Sequence, residues 1–94
     1  MGSLIKAKVK VKGVMKDVLF FSNPNTSSGR YNITIKASLD LGETWLPANQ
    51  LLIDERPCYG YSSLTKVDDN TIGILYEGSK DLYYVNLPVS EIIK

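Results

Sequence analysis

The side chains able to do chemistry are few. The 94-residue chain contains no histidine, which removes His-based catalytic triads, His metal sites and a histidine pH switch. Its single cysteine, Cys58, cannot form an intrachain disulfide or a Cys-rich zinc site. With no histidine to activate it, this thiol is given no catalytic part. Asp40 lies in Ser38-Leu39-Asp40-Leu41-Gly42-Glu43-Thr44-Trp45, which fits the pattern S-x-D-x-G-x-T-W. In such a turn Asp40 can accept backbone N–H bonds, Gly42 can take a positive φ and Trp45 can cover the hairpin end. Calcium would need about six to eight oxygen ligands, and one Asp falls far short. Taken singly, Tyr61 reads as an edge-strand packing tyrosine, Arg30 as a solvated loop cation and Glu77 as a surface charge at a strand end.

The elements that must position these residues are strands. Val, Ile, Thr, Tyr, Phe and Trp recur throughout, and strong helix formers do not cluster. Over residues 4–12, Ile5, Ala7, Val9 and Val11 alternate with Lys6, Lys8, Lys10 and Lys12. Period two predicts a strand with one buried face. The lysine row then reads as a solvated face that discourages edge-to-edge pairing. Residues 17–22 form a second strand, whose run Val18-Leu19-Phe20-Phe21 is buried on both faces if the strand is central. A polar loop over 23–30 leads into a third strand at 31–39 and, after Pro47, a short fourth at 51–54. Residues 62–67, 71–77 and 82–87 give three more strands, joined by hairpin-type turns at 68–70 and 78–81. Residues 88–94 close with a helical turn.

Composition narrows the class. The chain is 44% hydrophobic and 22% charged, ordinary for a folded globular protein and against long disorder. Eleven basic and ten acidic residues give a net charge of +1, so the strongly basic footprint of a nucleic-acid binder is missing. No apolar run approaches the roughly 18 residues of a membrane-spanning helix, and residues 1–6 do not read as a signal peptide. No linker rich in Gly, Ser or Pro divides the chain, which reads as one domain over 1–94.

Four-stranded antiparallel units in series build a β-propeller, with roughly 40–50 residues to a blade. The expected fold is therefore all-β: about two antiparallel four-stranded blades, one over about 4–55 and a second over about 60–88 that lacks one strand. Three sets of residues carry a family resemblance: the octapeptide 38–45; Tyr59-Gly60-Tyr61-Ser62-Ser63-Leu64 followed by Ile74-Leu75-Tyr76-Glu77; and Phe20-Phe21-Ser22-Asn23-Pro24-Asn25 with Gly29-Arg30. In this order they resemble the C-terminal part of a bacterial-type exo-α-sialidase, a family of six-bladed propellers whose Asp-box (BNR) repeat is the octapeptide. The resemblance covers almost the whole chain.

The resemblance implies roles. Tyr61 corresponds to the family's catalytic nucleophile, Arg30 to one of three arginines that clamp the substrate carboxylate, and Glu77 to the acidic residue that orients another of them. Tyr59 lines or supports the site. Ser38, Asp40, Gly42, Thr44 and Trp45 are structural. The chemistry suits these residue types. Sialic acid carries a carboxylate on its anomeric carbon, so a carboxylate nucleophile would meet an existing negative charge, whereas a phenol avoids the repulsion until a nearby carboxylate takes its proton. Sialidases accordingly depart from the two-carboxylate pattern of glycosidases. The guanidinium fork meets a carboxylate bidentately, and a glutamate offsets the repulsion among clustered arginines. This chemistry calls for no metal and no organic cofactor.

The expected function is thus part of a retaining hydrolase that removes terminal sialic acids from glycoconjugates. The family's other two arginines, its Asp acid/base and the Glu that activates the tyrosine lie upstream on earlier blades; Arg56 lacks the family's arginine context. The isolated chain is therefore expected to be inactive. The partners implied are sialylated glycans or sialic acid, and either the remaining propeller blades or further copies of the chain meeting its open sheet edges; three copies could close a six-bladed ring. The alternatives are a non-catalytic Asp-box module that binds carbohydrate or serves as a scaffold, and an unrelated β-sandwich. The parent family is often secreted or periplasmic, and the chain itself leaves the compartment open.

Overall fold

The computed structural model describes residues 2–24, 33–55, 58–78 and 81–93. Among the described residues there are seven strands and one short helix: β1 (Ser3–Val11), β2 (Val14–Pro24), β3 (Ile33–Ser38), β4 (Gln50–Asp54), β5 (Cys58–Asp68), β6 (Thr71–Gly78), β7 (Leu82–Pro88) and α1 (Val89–Ile92). The strands form two antiparallel sheets, β1-β2-β3-β4 and β5-β6-β7, each in simple up-and-down order.

The alternation in β1 is realised directly. Ala7, Val9 and Val11 are buried, Ile5 packs against the core, and Lys6, Lys8, Lys10 and Lys12 are exposed. The hairpin to β2 turns on Lys12 and Gly13, with φ of 50° and 84°. Positive φ at both central residues is the geometry whose twist matches the flanking strands.

β2 is central, between β1 and β3, yet its two faces differ. Val18 and Phe20 are wholly buried, whereas Leu19 and Phe21 are half-buried. The expected two-sided burial is therefore met on one face only. The second face is covered in part by a turn rather than by a sheet: an added Cβ on Gly42 would sit 3.3 Å from the Leu19 side chain, and Trp45 meets Phe21 edge-on, with ring centroids 6.3 Å apart.

The core lies between the sheets. Val9, Val18, Phe20, Ile33 and Ile35 from the first sheet cluster with Leu64, Ile72, Ile74, Tyr76 and Leu87 from the second. Each large aliphatic or aromatic side chain buried this way contributes roughly 1.5–3 kcal/mol of transfer free energy. Val89, Ile92 and Ile93 of the C-terminal turn close one end of this layer. There the Val89 N–H donates to the Asn70 carbonyl at 2.8 Å, and the Lys10 N–H donates to the Asp69 carbonyl at 2.7 Å, tying β1 to the β5–β6 turn.

The β5–β6 ladder shifts register twice, between Lys66 and Asp68 beside the turn and between Cys58 and Ser62 at the other end. Cys58 pairs with Gly78 and Ser62 with Tyr76. Three residues, Tyr59, Gly60 and Tyr61, therefore stand opposite the single residue Glu77. This β-bulge lies within β5, which begins at Cys58 rather than at Ser62, where the sequence pattern starts it. Bulges re-aim side chains and are over-represented beside active sites.

Candidate functional site

The bulge brings two of the expected site residues together. Tyr61 and Glu77 line one shallow surface pocket of about 160 Å³, with Ser62, Ser63, Leu75, Tyr76 and Leu82. Tyr61 is about half exposed, at 52%, so its phenol is open to an incoming molecule. Leu75 and Leu82 are also exposed and give the pocket an apolar side, while Glu77 supplies a carboxylate at its rim. A carboxylate and a phenol in one pocket can accept a proton, donate one and present an oxygen nucleophile.

Arg30 lies outside the described residues, as does Arg56. Tyr59 occupies the bulge, and the part given to its side chain likewise falls outside what is described. In sequence Arg30 falls between the end of β2 at Pro24 and the start of β3 at Ile33.

The octapeptide forms its own hydrogen-bonded unit between β3 and β4, away from the Tyr61 pocket. The Ser38 hydroxyl donates to Asp40 Oδ1 at 2.8 Å and accepts from the Gly42 N–H at 2.8 Å. Thr44 gives Asp40 both its N–H, to Oδ1 at 2.8 Å, and its hydroxyl, to Oδ2 at 2.6 Å. Leu41 and Gly42 take φ of 57° and 98°, a pair of left-handed residues that glycine at the second place eases. These bonds, led by the Thr44 hydroxyl, then the Thr44 N–H and Ser38, hold the Asp40 carboxyl down to about 2, because each stabilises the ionised form. The carboxylate oxygens thus serve the turn. Among the described residues no cluster of three His, Cys, Asp or Glu side chains is placed to hold a metal ion.

Two hydrogen bonds not foreseen from sequence tie the pocket to the first sheet. Ser62 Oγ lies 2.7 Å from Ser22 Oγ of β2. The Tyr76 hydroxyl donates to Asp54 Oδ2 of β4 at 3.0 Å. Tyr76 is 95% removed from solvent and its ring lies against Tyr83, centroids 5.5 Å apart. A larger cavity, of about 380 Å³, sits at the opposite end of the sheets among Lys10, Lys12, Asn70, Val89 and Ile93. It contains none of the expected site residues.

No family model matches the chain. Individual proteins do. A sialidase of Bacteroides fragilis (strain YCH46) is 53% identical over 95 residues, covering 100% of this chain and 18% of that protein. A sialidase of Micromonospora viridifaciens is 38% identical over 69 residues, covering 73% of this chain and 10% of that protein. Among solved structures, the Hadza microbial sialidase Hz136 superposes with a TM-score of 0.88 at 48% identity, over 99% of this chain and 18% of that one. The two antiparallel sheets accordingly fit a portion of a β-propeller. Sequence and fold together place this chain in the sialidase family, as the counterpart of 18% of the length of the Bacteroides fragilis enzyme.

Proposed function

We propose that the chain supplies part of the sialic-acid site of an exo-α-sialidase, with Tyr61 as the nucleophile. The observation that carries this reading is the shared pocket of Tyr61 and Glu77 at the bulge, in a chain 53% identical to a sialidase over its full length. In the reaction the Tyr61 phenol gives its proton to a carboxylate, and its oxygen bonds to the anomeric carbon. The glycosidic bond breaks as a general acid protonates the departing oxygen. Water then displaces the tyrosine, so two inversions give net retention. Arg30 clamps the substrate carboxylate bidentately. Glu77 orients a further arginine of the clamp, and Tyr59 supports the sugar. Tyr61 has the right character for this nucleophile because it brings no negative charge to the substrate until it is deprotonated.

The 94-residue chain by itself binds sialic acid weakly and does not turn it over, since its only arginines are Arg30 and Arg56. A chimera tests the assignment: this chain replaces the matching 95-residue segment of the Bacteroides fragilis sialidase. Hydrolysis of a fluorogenic sialoside by the chimera, and its loss by about a thousandfold or more in Tyr61→Phe, supports the reading. Full activity in Tyr61→Phe overturns it.

A further inference from the structure

The geometry points to Tyr76, Asp54, Ser62 and Ser22 as positioning residues that hold Tyr61 and Glu77 in fixed relation to the first sheet. This rests on the roles proposed above for Tyr61 and Glu77. Ser62 and Tyr76 are register partners, one rung of the β5–β6 ladder. Ser62 directly follows Tyr61 and Tyr76 directly precedes Glu77. The same rung is anchored to the first sheet at both of its members: Ser62 to Ser22 at 2.7 Å, and Tyr76 to Asp54 at 3.0 Å.

The far ends of these two bonds are placed to matter. Ser22 lies two positions before Pro24, where β2 ends and the chain leaves toward Arg30. Asp54 is the register partner of Ile33, where the chain re-enters the sheet as β3. The two hydrogen bonds therefore grip both roots of residues 25–32. By contrast, the Leu64 N–H to Ser3 Oγ bond, at 3.2 Å, joins β5 to the start of β1.

The bonds are also of a kind that holds position. The Ser22 and Ser62 side chains meet in the layer between the sheets, and Ser22 is wholly buried. Tyr76 is buried, and its partner is a carboxylate, whose hydrogen bonds are stronger and more directional than neutral ones. The Tyr83 ring backs the Tyr76 ring, so the phenol has little freedom to swing away. A nucleophile must keep its place relative to its substrate to a fraction of an ångström. A misplacement of about 1 Å from a change remote from the chemistry can cost about 100-fold in rate.

The test has two arms. By NMR on the 94-residue chain, Tyr76→Phe shifts the amide resonances of Asp54 and its register partner Ile33, and Asp54→Ala shifts those of Tyr61 and Glu77. Changes confined to the mutated residue's own sheet overturn the proposal. In the chimera, Tyr76→Phe and Asp54→Ala each lower kcat by about 10- to 100-fold with a smaller effect on KM. The double variant is no worse than either single, and Asp54→Asn, which keeps an acceptor for the Tyr76 hydroxyl, restores most of the rate. Assays run far below each variant's melting temperature, so that loss of fold is not read as loss of alignment. Should Tyr76→Phe prove unstable, Ser22→Ala and Ser62→Ala probe the second bond with the same expectation. Wild-type kcat in all of these variants, with Tyr61→Phe inactive, overturns the positioning role and leaves the nucleophile assignment standing. Activity retained in Tyr61→Phe overturns the nucleophile assignment instead.

Discussion

Thr44 donates twice to Asp40, through its N–H at 2.8 Å and its hydroxyl at 2.6 Å, so that both carboxylate oxygens are engaged by one residue. The pair closes the turn between β3 and β4 and gives that turn a defined pH response. The Asp40 carboxyl sits at about 2 in the folded chain, against 3.8 for an unperturbed Asp. A depressed folded value means that the fold favours the ionised form. Its stabilising effect is complete above pH 3.8 and is lost as pH falls through about 2. An NMR titration should find the Asp40 carboxyl midpoint near 2. Asp40→Asn should lower the melting temperature at neutral pH, and its difference from the wild type should shrink as the pH is taken below that midpoint. A midpoint at the ordinary Asp value would count against this arrangement.

The β1–β2 hairpin carries a correctable strain. Lys12 has φ of 50°, and a residue with a Cβ in the left-handed region costs about 1–2 kcal/mol. Asparagine tolerates that region and is favoured at the first position of such a turn. Lys12→Asn should raise stability by about 0.5–1 kcal/mol, seen as a higher urea midpoint at unchanged slope. Gly13→Ala should do the reverse, by roughly 1 kcal/mol. At Gly13 an added Cβ meets nothing within 4 Å, so any loss comes from the backbone alone.

The core should answer to volume. Phe20 is wholly buried at the centre of the first sheet, opposite Ile5 and Ala37. Phe20→Ala should cost about 3–5 kcal/mol, and Ile74→Val, in the second sheet, about 0.5–1.5 kcal/mol. Small domains hold only about 5–15 kcal/mol. Circular dichroism in urea should therefore show Phe20→Ala largely unfolded under conditions where Ile74→Val remains native.

Arg30 should be sensitive to shape as well as charge. A lysine keeps the charge and loses the two-pronged geometry. In the chimera, Arg30→Lys should lower kcat/KM by about 10- to 100-fold, the equivalent of one charge-assisted hydrogen bond of about 1.5–3 kcal/mol. An unchanged kcat/KM would remove Arg30 from the clamp.

The regular strands were legible because period two is a local signal. Ile5, Ala7, Val9 and Val11 announce β1 without reference to anything distant. The hairpin at Asp68-Asp69-Asn70 is equally local, since the Asn70 N–H bonds to Asp68 Oδ1 two residues back. The octapeptide 38–45 was legible for the same reason. What escaped was non-local or irregular. Tyr59-Gly60-Tyr61 has no strict alternation, so the pattern marks β5 only from Ser62 onward, while the register places Cys58 in the ladder. The half-burial of Leu19 and Phe21 follows from a turn folding back onto them, which the apolar run 18–21 cannot announce. Ser22 and Ser62 are 40 positions apart and Asp54 and Tyr76 are 22 apart, and nothing in either pair's composition marks it as a contact.

The bulge in β5 has a parity. From Cys58 to Ser62 the strand advances by an even number of residues, and so does its partner from Gly78 to Tyr76. The surplus is two, and side chains alternate with period two, so inward and outward positions keep their assignment on either side of the interruption. A surplus of one would turn every residue beyond it to the wrong face. The protrusion that presents Tyr61 is therefore a module that the sheet can carry or lose without repacking. Deleting two residues there would remove this interruption while keeping the facing of the strand, so architecture and reactivity could be inherited separately.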